Sequence, residues 1–113
     1  MEVKIFDSTL RDGSQGQGIS FSFEDKMKIV KVLDDIGVSY IEAGNPGSNP
    51  KDMEFFKQIK EVELKNAKIA AVGSTRRPGI KAKDDKNLKN LLSAETDVTV
   101  IFGKSWDFQV IDI

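Results

Sequence analysis

The sequence predicts an α/β fold in which β-α units build a parallel sheet. Short β-rich segments start near residues 3, 38, 68 and 97, and amphipathic helical segments follow the first three of them. Polar, glycine-containing loops come directly after the strands. A repeat of about thirty residues is the size of a βαβ unit, and such alternation is typical of parallel sheets with crossover helices.

The first unit combines a short strand, a long loop and a helix. Val3 to Asp7 is rich in β-forming residues, and the glycine-rich stretch Ser8 to Ser20 is its loop. Ser22 and Asp25 have the spacing of a capping box, and Gly37 predicts the end of the helix that follows. The apolar residues at helical spacing between them are Phe23, Met27, Val30, Leu33 and Ile36.

The second unit begins with a strand over Val38 to Glu42. The segment Ala43 to Pro50 contains two glycines, two prolines and two asparagines, which predicts a loop. Asn49 is the predicted N-cap of the next helix, with Pro50 at its first position, and this helix should fade near Leu64.

The third unit has its strand over Lys68 to Gly73, followed by a loop over Ser74 to Lys83. Asp84 or Asp85 caps a helix carrying Leu88, Leu91 and Leu92. A fourth strand covers Asp97 to Phe102, and the opening of a fourth helix is expected at Ile111-Asp112-Ile113.

Two folds start with this pattern, the doubly wound sheet and the (β/α)₈ or TIM barrel, and periodicity does not separate them. The loop after strand one contains glycines but does not reproduce the G-x-G-x-x-G dinucleotide fingerprint. Some ten residues also separate this strand from its helix, where a phosphate-binding turn would be tight. The sequence therefore favours the first half of a barrel, with about four strands and three helices, over a nucleotide-binding sheet.

Composition narrows the classes of ligand. With 17 basic and 18 acidic residues the net charge is −1, so no broad basic face is expected for a nucleic acid or a membrane. The chain has no cysteine and no histidine, which excludes thiol nucleophiles, thiolate metal sites and imidazole bases. Without an apolar run of membrane-spanning length or a signal-like start, we expect a cytoplasmic protein with small ligands.

Candidate functional residues lie in the loops after the strands, where parallel folds place their sites. Arg11 and Asp12 follow strand one, Glu42 ends strand two, and Thr75 and Arg76 follow strand three. Together they could hold a divalent cation and an anionic substrate. Asp and Arg in loops are more often turn formers or solvated charges, but a carboxylate directly after an apolar strand is costly to desolvate, which favours a functional role for Glu42.

Four motifs, one at each strand end, carry a family resemblance. Phe6-Asp7-Ser8-Thr9-Leu10-Arg11-Asp12-Gly13 with Gln15 resembles the D-x-T-L-R-D-G-x-Q signature of the superfamily of 2-isopropylmalate synthase, homocitrate synthase and 3-hydroxy-3-methylglutaryl-CoA lyase. The other three motifs are similar to the citramalate synthase branch; they lie in Tyr40 to Asp52, Gly73 to Gly79 and Phe102 to Asp107.

The resemblance implies a (β/α)₈ barrel that condenses acetyl-CoA with a 2-oxo acid such as pyruvate, giving a 2-hydroxy diacid such as citramalate or 2-isopropylmalate. It implies a divalent metal (Mg, Mn or Zn) that would polarise the keto carbon, with Asp12 as a ligand. Arg11 would stabilise the developing alkoxide or enolate. Glu42 would either hold a metal-bound water or orient Arg11 and the substrate.

The same resemblance implies roles for three further residues. Gln15 would hydrogen-bond near the metal, and Thr75 and Arg76 would bind a substrate carboxylate. The family completes its metal site with a His-x-His pair on a later strand, whereas this chain has no histidine, and Gln109 stands where histidine is expected.

From these departures we expect residues 1–113 to be the N-terminal half of the catalytic barrel, truncated at the start of helix four. Such a piece would bind a metal weakly if at all and would be inactive alone. Exposed strand edges and apolar residues would favour a homo-oligomer; the residues proposed for this contact are Ile5, Ile41, Val72 and Val100. The alternatives are a non-catalytic α/β module that folds and self-associates, or a piece of a carbon-carbon lyase of the same superfamily.

Overall fold

The computed structural model describes residues 1–111, which form a single four-stranded parallel sheet with helices between the strands. The strands are β1 (Phe6–Asp7), β2 (Tyr40–Gly44), β3 (Lys68–Ser74) and β4 (Val98–Phe102), and they neighbour one another in chain order. The helices are α1 (Phe23–Asp35), α2 (Pro50–Ile59), α3 (Lys86–Ser93) and α4 (Asp107–Ile111). Short 3₁₀ turns cover Gly13–Gln15 and Ala82–Asp84.

The strand order and the position of the helices separate the two candidate folds. Val30 of α1, Phe56 of α2 and Leu91 of α3 belong to one buried cluster with Ile41 and Ile69 of the sheet. All three helices therefore cover the same face, and the strand order contains no reversal. A doubly wound sheet reverses its order and carries helices on both faces, so this arrangement is the first half of a (β/α)₈ barrel, as predicted.

Helix α1 has both of its predicted end signals. The Ser22 hydroxyl accepts from the Asp25 amide at 3.1 Å, and the Asp25 carboxylate accepts from the Ser22 amide at 3.0 Å, which is a complete capping box. At the other end Gly37 has a φ of +87°, and the Val38 amide donates to the Leu33 carbonyl. These contacts form a Schellman motif, which turns the chain directly into β2.

Several predicted boundaries were wrong by a few residues. In β1 only Phe6 and Asp7 pair as a strand, although the Ile5 carbonyl still accepts from the amides of Ser39 and Tyr40. Helix α2 is capped by Asn49 as predicted but ends at Ile59, since the chain tightens into a turn there instead of continuing towards Leu64.

The later elements also differ in detail. Asp85, and not Asp84, caps α3, because its carboxylate accepts from the Leu88 amide at 3.1 Å. Ala43 and Gly44, predicted as loop, belong to β2. A fourth helix already starts at Asp107, while Asp112 and Ile113 lie outside the described residues.

The expectation that Ile41 and Val72 are exposed was wrong. Ile41 is completely buried because it points into the cluster beneath the helices, and Val72 is 2% exposed because it lies in the inner strand β3 with a neighbour on each side. Ile5 is exposed and Val100 is partly buried. Of the four residues, only Ile5 and Val100, at the two edges of the sheet, remain accessible.

The helices described within residues 1–111 include none with the length and hydropathy that a membrane span requires.

A buried aspartate joins the end of α1 to the start of β3. The Asp34 carboxylate accepts three backbone hydrogen bonds, from Lys65 at 2.9 Å and from Asn66 and Ala67 at 2.7 Å. These hydrogen bonds lower the pKa of Asp34 below 3.8, and the bond from the Ala67 amide has the largest effect. The ionised Asp34 carboxylate therefore stabilises the connection between α2 and β3 in its position next to α1.

We expect the hydrogen bonds of Asp34 to make the stability of the folded chain decrease at acidic pH. Because the folded-state pKa of Asp34 is depressed, its contribution to stability is present above the unfolded value near 3.8 and is lost as the pH falls through the lower folded-state value. Asp34→Asn should lower the urea midpoint at neutral pH and reduce the dependence of that midpoint on pH below about 4. Urea titrations followed by far-UV circular dichroism at several pH values measure both effects.

The control is Asp35→Asn, which removes the same charge from the adjacent, exposed position. If Asp35→Asn changed the neutral-pH midpoint as much as Asp34→Asn, the loss of charge at the end of α1, and not the backbone contacts of Asp34, would be the cause.

Candidate active site

The turn after β1 is built by the side chains of the first motif. Both Asp7 carboxylate oxygens accept from Thr9, one from its amide and one from its hydroxyl, each at 3.0 Å. The Ser8 carbonyl accepts from the amides of Arg11, Asp12 and Gly13, and Leu10 is 2% exposed in the core. Asp7 and Thr9 therefore have a positioning role that the sequence analysis did not assign: they hold the turn from which Arg11 and Asp12 project.

Arg11 and Glu42 meet at the carboxyl end of the sheet. Nε of Arg11 forms an ion pair with Oε1 of Glu42, and both atoms are shielded from solvent. The Glu42 side chain is 4% exposed and that of Arg11 is 34% exposed. Within residues 1–111 neither atom has a hydrogen-bonding partner besides the other. The guanidinium therefore compensates a buried carboxylate while part of it still faces solvent, where it could meet a ligand.

The location of Glu42 follows from strand geometry. Ile41 points to the helix layer, so its neighbour Glu42 points to the opposite face, which is the interior side of a barrel. The pairing of β2 with β3 shifts in register between Glu42 and Gly44, which is a bulge at Ala43. Bulges of this kind re-aim side chains near functional sites.

Asp12 and Gln15 lie beside the ion pair in sequence but are exposed. Asp12 precedes the 3₁₀ turn, and its carboxylate makes no capping hydrogen bond there. Among the described residues no group of three or more His, Cys, Asp or Glu side chains could enclose a metal ion. These residues do not by themselves compose a metal site, and Asp12 is a single carboxylate donor on the same rim.

Thr75 and Arg76 occupy an exposed loop after β3. The Thr75 amide donates to the Phe102 carbonyl at 3.1 Å, which continues the pairing with β4. The Arg76 guanidinium donates to the carbonyls of Ile80 at 3.1 Å and Arg77 at 3.4 Å, so it is folded back on its own loop. The structure thus places both residues on the same end of the sheet as Arg11, without a direct contact to the ion pair.

A buried aspartate fixes the far end of that loop. The Asp85 carboxylate accepts from the Arg77 amide at 2.9 Å and from the Leu88 amide in α3. Both hydrogen bonds lower the pKa of Asp85, and the bond from Arg77 has the largest effect. The loop over residues 75–84 is therefore anchored to α3, although its own side chains are exposed.

The exit of β2 carries a cluster that the sequence analysis missed. Oδ2 of Asp52 accepts from the Asn45 amide at 3.0 Å, and its Oδ1 accepts from Lys26 Nζ at 3.3 Å. Lys26 and Asp52 are 14% and 15% exposed in their side chains. In the sequence, Lys26 and Asp52 are simply one charged residue on each of two predicted helices. That they form an ion pair cannot be recognised without the fold.

The chain thus presents a parallel β/α half-barrel with an arginine-carboxylate pair at the carboxyl end of its first two strands. A family model described as HMGL-like matches residues 2–109. The chain belongs to the HMGL-like family.

Several relatives are more specific. The chain is 59% identical over 108 residues to the (R)-citramalate synthase of Geobacter sulfurreducens, an alignment that covers 96% of the chain and 20% of that protein. It is 55% identical over 111 residues to the (R)-citramalate synthase of Aquifex aeolicus, covering 98% of the chain and 21% of the relative.

A second type of relative is more distant. The 2-isopropylmalate synthase of Halothermothrix orenii is 44% identical over 79 residues, which cover 70% of the chain and 15% of that protein. The chain spans about a fifth of the length of the (R)-citramalate synthases it matches.

Proposed function

We propose that this chain forms the part of an acetyl-CoA-dependent condensing enzyme that supplies the arginine-carboxylate pair of its active site. The observation that carries the proposal is the ion pair of Arg11 with the buried Glu42 at the carboxyl end of the sheet. The identity with (R)-citramalate synthases supports pyruvate as the 2-oxo acid and citramalate as the product. That these relatives are named as synthases favours condensation over a lyase reaction.

Arg11 has the properties that such a reaction needs. A guanidinium stays protonated through the reaction, and its remaining N–H groups can donate to the oxyanion that forms when an enolate attacks the keto carbon. Glu42 holds one edge of the guanidinium, so the edge that faces solvent is oriented before the substrate arrives. The burial of Oε1 against Arg11 supports the orienting role of Glu42, which we propose in preference to contact with a metal-bound water.

The divalent metal of the proposed enzyme would take one ligand from this chain, the exposed carboxylate of Asp12, with Gln15 nearby. When bound, a divalent cation would polarise the keto oxygen of the 2-oxo acid. We propose that its other protein ligands come from outside these 113 residues and that this chain alone binds such an ion weakly.

Thr75 and Arg76 are proposed to bind the substrate carboxylate. The Arg76 guanidinium would have to leave the carbonyls of Ile80 and Arg77, which are neutral acceptors. A carboxylate forms stronger, bidentate hydrogen bonds with arginine, which makes this exchange favourable.

The proposal is tested by thiol release from acetyl-CoA in the presence of pyruvate and Mg²⁺ or Mn²⁺. We expect no steady turnover by the 113-residue chain. A chimera in which residues 2–109, the range matched by the HMGL-like family model, replace the corresponding segment of the Geobacter sulfurreducens (R)-citramalate synthase should turn over and produce citramalate. Asp12→Asn in this chimera should weaken activation by Mn²⁺ by at least about 10- to 100-fold, since the loss of a group that only supports a metal ligand already has an effect of this size.

A folded chimera that releases no thiol would contradict the proposal, because the replaced segment would then lack the required groups. Steady turnover by the 113-residue chain itself would contradict its inactivity. Glu24→Gln, which removes a carboxylate from the exposed first turn of α1, is the control for Asp12→Asn.

A non-catalytic, self-associating α/β module is the second candidate. The observation in its favour is the exposure of apolar side chains at the two edges of the sheet, at 45% or more: Val3 and Ile5 just before β1, and Ile101 and Phe102 in β4. We propose that copies of the chain associate through these edges. Sedimentation velocity would detect such an oligomer, and a chain that stays monomeric at high concentration would contradict it.

A further inference from the structure

We propose that Asp52, neutralised by Lys26, is a positioning residue that sets the direction of the β2 exit and thereby holds Glu42 against Arg11. Its effect on catalysis rests on the function proposed above, whereas its effect on the ion pair does not. The observation behind it is the contact of a largely buried Asp52 carboxylate with the backbone three residues after Glu42.

The cluster joins three elements at one point. Lys26 comes from α1, Asp52 from α2, and the Asn45 amide from the end of β2. Lys26 Nζ also lies 5.5 Å from the centre of the Phe55 ring, which holds the ammonium close to the carboxylate. A carboxylate that is both paired and hydrogen-bonded in a shielded place is a stiff connection between the elements it joins.

The backbone at this point is unusual and fits tightly against Asp52. Gly44 has a φ of +137°, and a Cβ added to it would lie 2.6 Å from Oδ2 of Asp52. The register shift of β2 falls between Glu42 and this glycine. Asp52 therefore stabilises the irregular conformation that directly follows Glu42, so loss of its carboxylate should let the strand end relax.

The ion pair can be monitored without any activity, through the Arg11 Nε–H resonance of the 113-residue chain. In the parent chain this proton should exchange slowly, because Nε is buried against Glu42. Asp52→Ala should raise its exchange rate about tenfold, towards the rate in Glu42→Gln, in which the charged partner is removed. Asp52→Asn should have a smaller effect, because its amide oxygen can still accept from the Asn45 amide.

Glu54→Ala is the matched control, since it removes a carboxylate from the same helix at an exposed position. An equal increase in the exchange rate of the Arg11 Nε–H proton in Asp52→Ala and in Glu54→Ala would overturn the proposal. If Asp52→Ala does not fold, Asp52→Asn decides, because it still removes the ion pair with Lys26: an Arg11 exchange rate equal to that of the parent chain would overturn the proposal.

Activity provides the second readout, in the chimera described above. Asp52→Ala should lower kcat by about 10- to 100-fold with little change in the KM for acetyl-CoA, because misplacement of a catalytic group affects the chemical step. Asp52→Asn should restore part of kcat. Faster exchange of the Arg11 Nε–H proton with an unchanged kcat would support the positioning of the ion pair by Asp52. It would contradict the proposed catalytic role of that pair.

Discussion

Replacing Arg11 by alanine in the chimera should lower kcat for citramalate formation by about 10²- to 10³-fold, the usual effect of removing one donor to a developing oxyanion. Arg11→Lys should recover little of this loss, since an ammonium cannot hold the edge contact with Glu42 and donate to a substrate oxygen with the same planar geometry. Thiol release and citramalate formation are the measurements.

The change also leaves Glu42 without its charged partner in a place where it is 4% exposed. The double variant Arg11→Ala/Glu42→Gln separates the two consequences, because it removes the charge of the unpaired carboxylate. We expect the double variant to be more stable than Arg11→Ala but no more active. Lys31→Ala, on the exposed surface of α1, is the control for loss of a positive charge. Activity of folded Arg11→Ala within about threefold of the parent chimera would exclude electrostatic stabilisation by this guanidinium.

Phe56→Ala should destabilise the 113-residue chain by about 3–5 kcal/mol, which is a large part of the 5–15 kcal/mol typical of a folded domain. Phe56 is fully buried and lies in the cluster that joins the helix layer to the sheet, in edge contact with Phe55 at 6.0 Å between ring centres. Truncation removes the apolar contact area and leaves a cavity that the surrounding strands and helices fill only in part. Urea denaturation followed by far-UV circular dichroism measures the loss.

Phe108→Ala is the matched control, because Phe108 is 47% exposed in α4 and its truncation should cost no more than about 0.5 kcal/mol. If Phe56→Ala does not fold at all, Ile59→Val provides a milder change in the same cluster, with an expected cost of about 0.5–1.5 kcal/mol. Equal losses for Phe56→Ala and Phe108→Ala would contradict the position of the core beneath α2.

The helices were the most predictable part of the fold because their signals are local. The Ser22–Asp25 capping box, the Gly37 terminator and the Asn49 cap each act within a few residues of chain, and each was confirmed. The ends of α2 and β2 were not, since they depend on packing. Gly44 was predicted as a loop residue but belongs to β2, because it pairs with Ala71 of the neighbouring strand.

The candidate site divides in the same way. Arg11 and Glu42 were identified from a motif and from the cost of a carboxylate after an apolar strand, and the structure brings them together. The supporting contacts were not predictable, because Lys26 and Asp52 are 26 residues apart and sit on separate helices. The apolar face was misjudged for a related reason: alternation says that Ile41 and Glu42 face opposite ways, but not which of the two sides the helices cover.

The amino-acid sequence by itself determined the β-α order, the helix caps and the polar residues that follow each strand, since these depend on periodicity and on hydrogen bonds between near neighbours. The tertiary structure decided that the strands lie in the order β1-β2-β3-β4 with the helices on one face, and that Arg11 meets Glu42 on the opposite face, at the carboxyl end of the sheet. Those features depend on contacts between residues about thirty positions apart, whose geometry is set only when the apolar stripes of the helices pack together on the sheet.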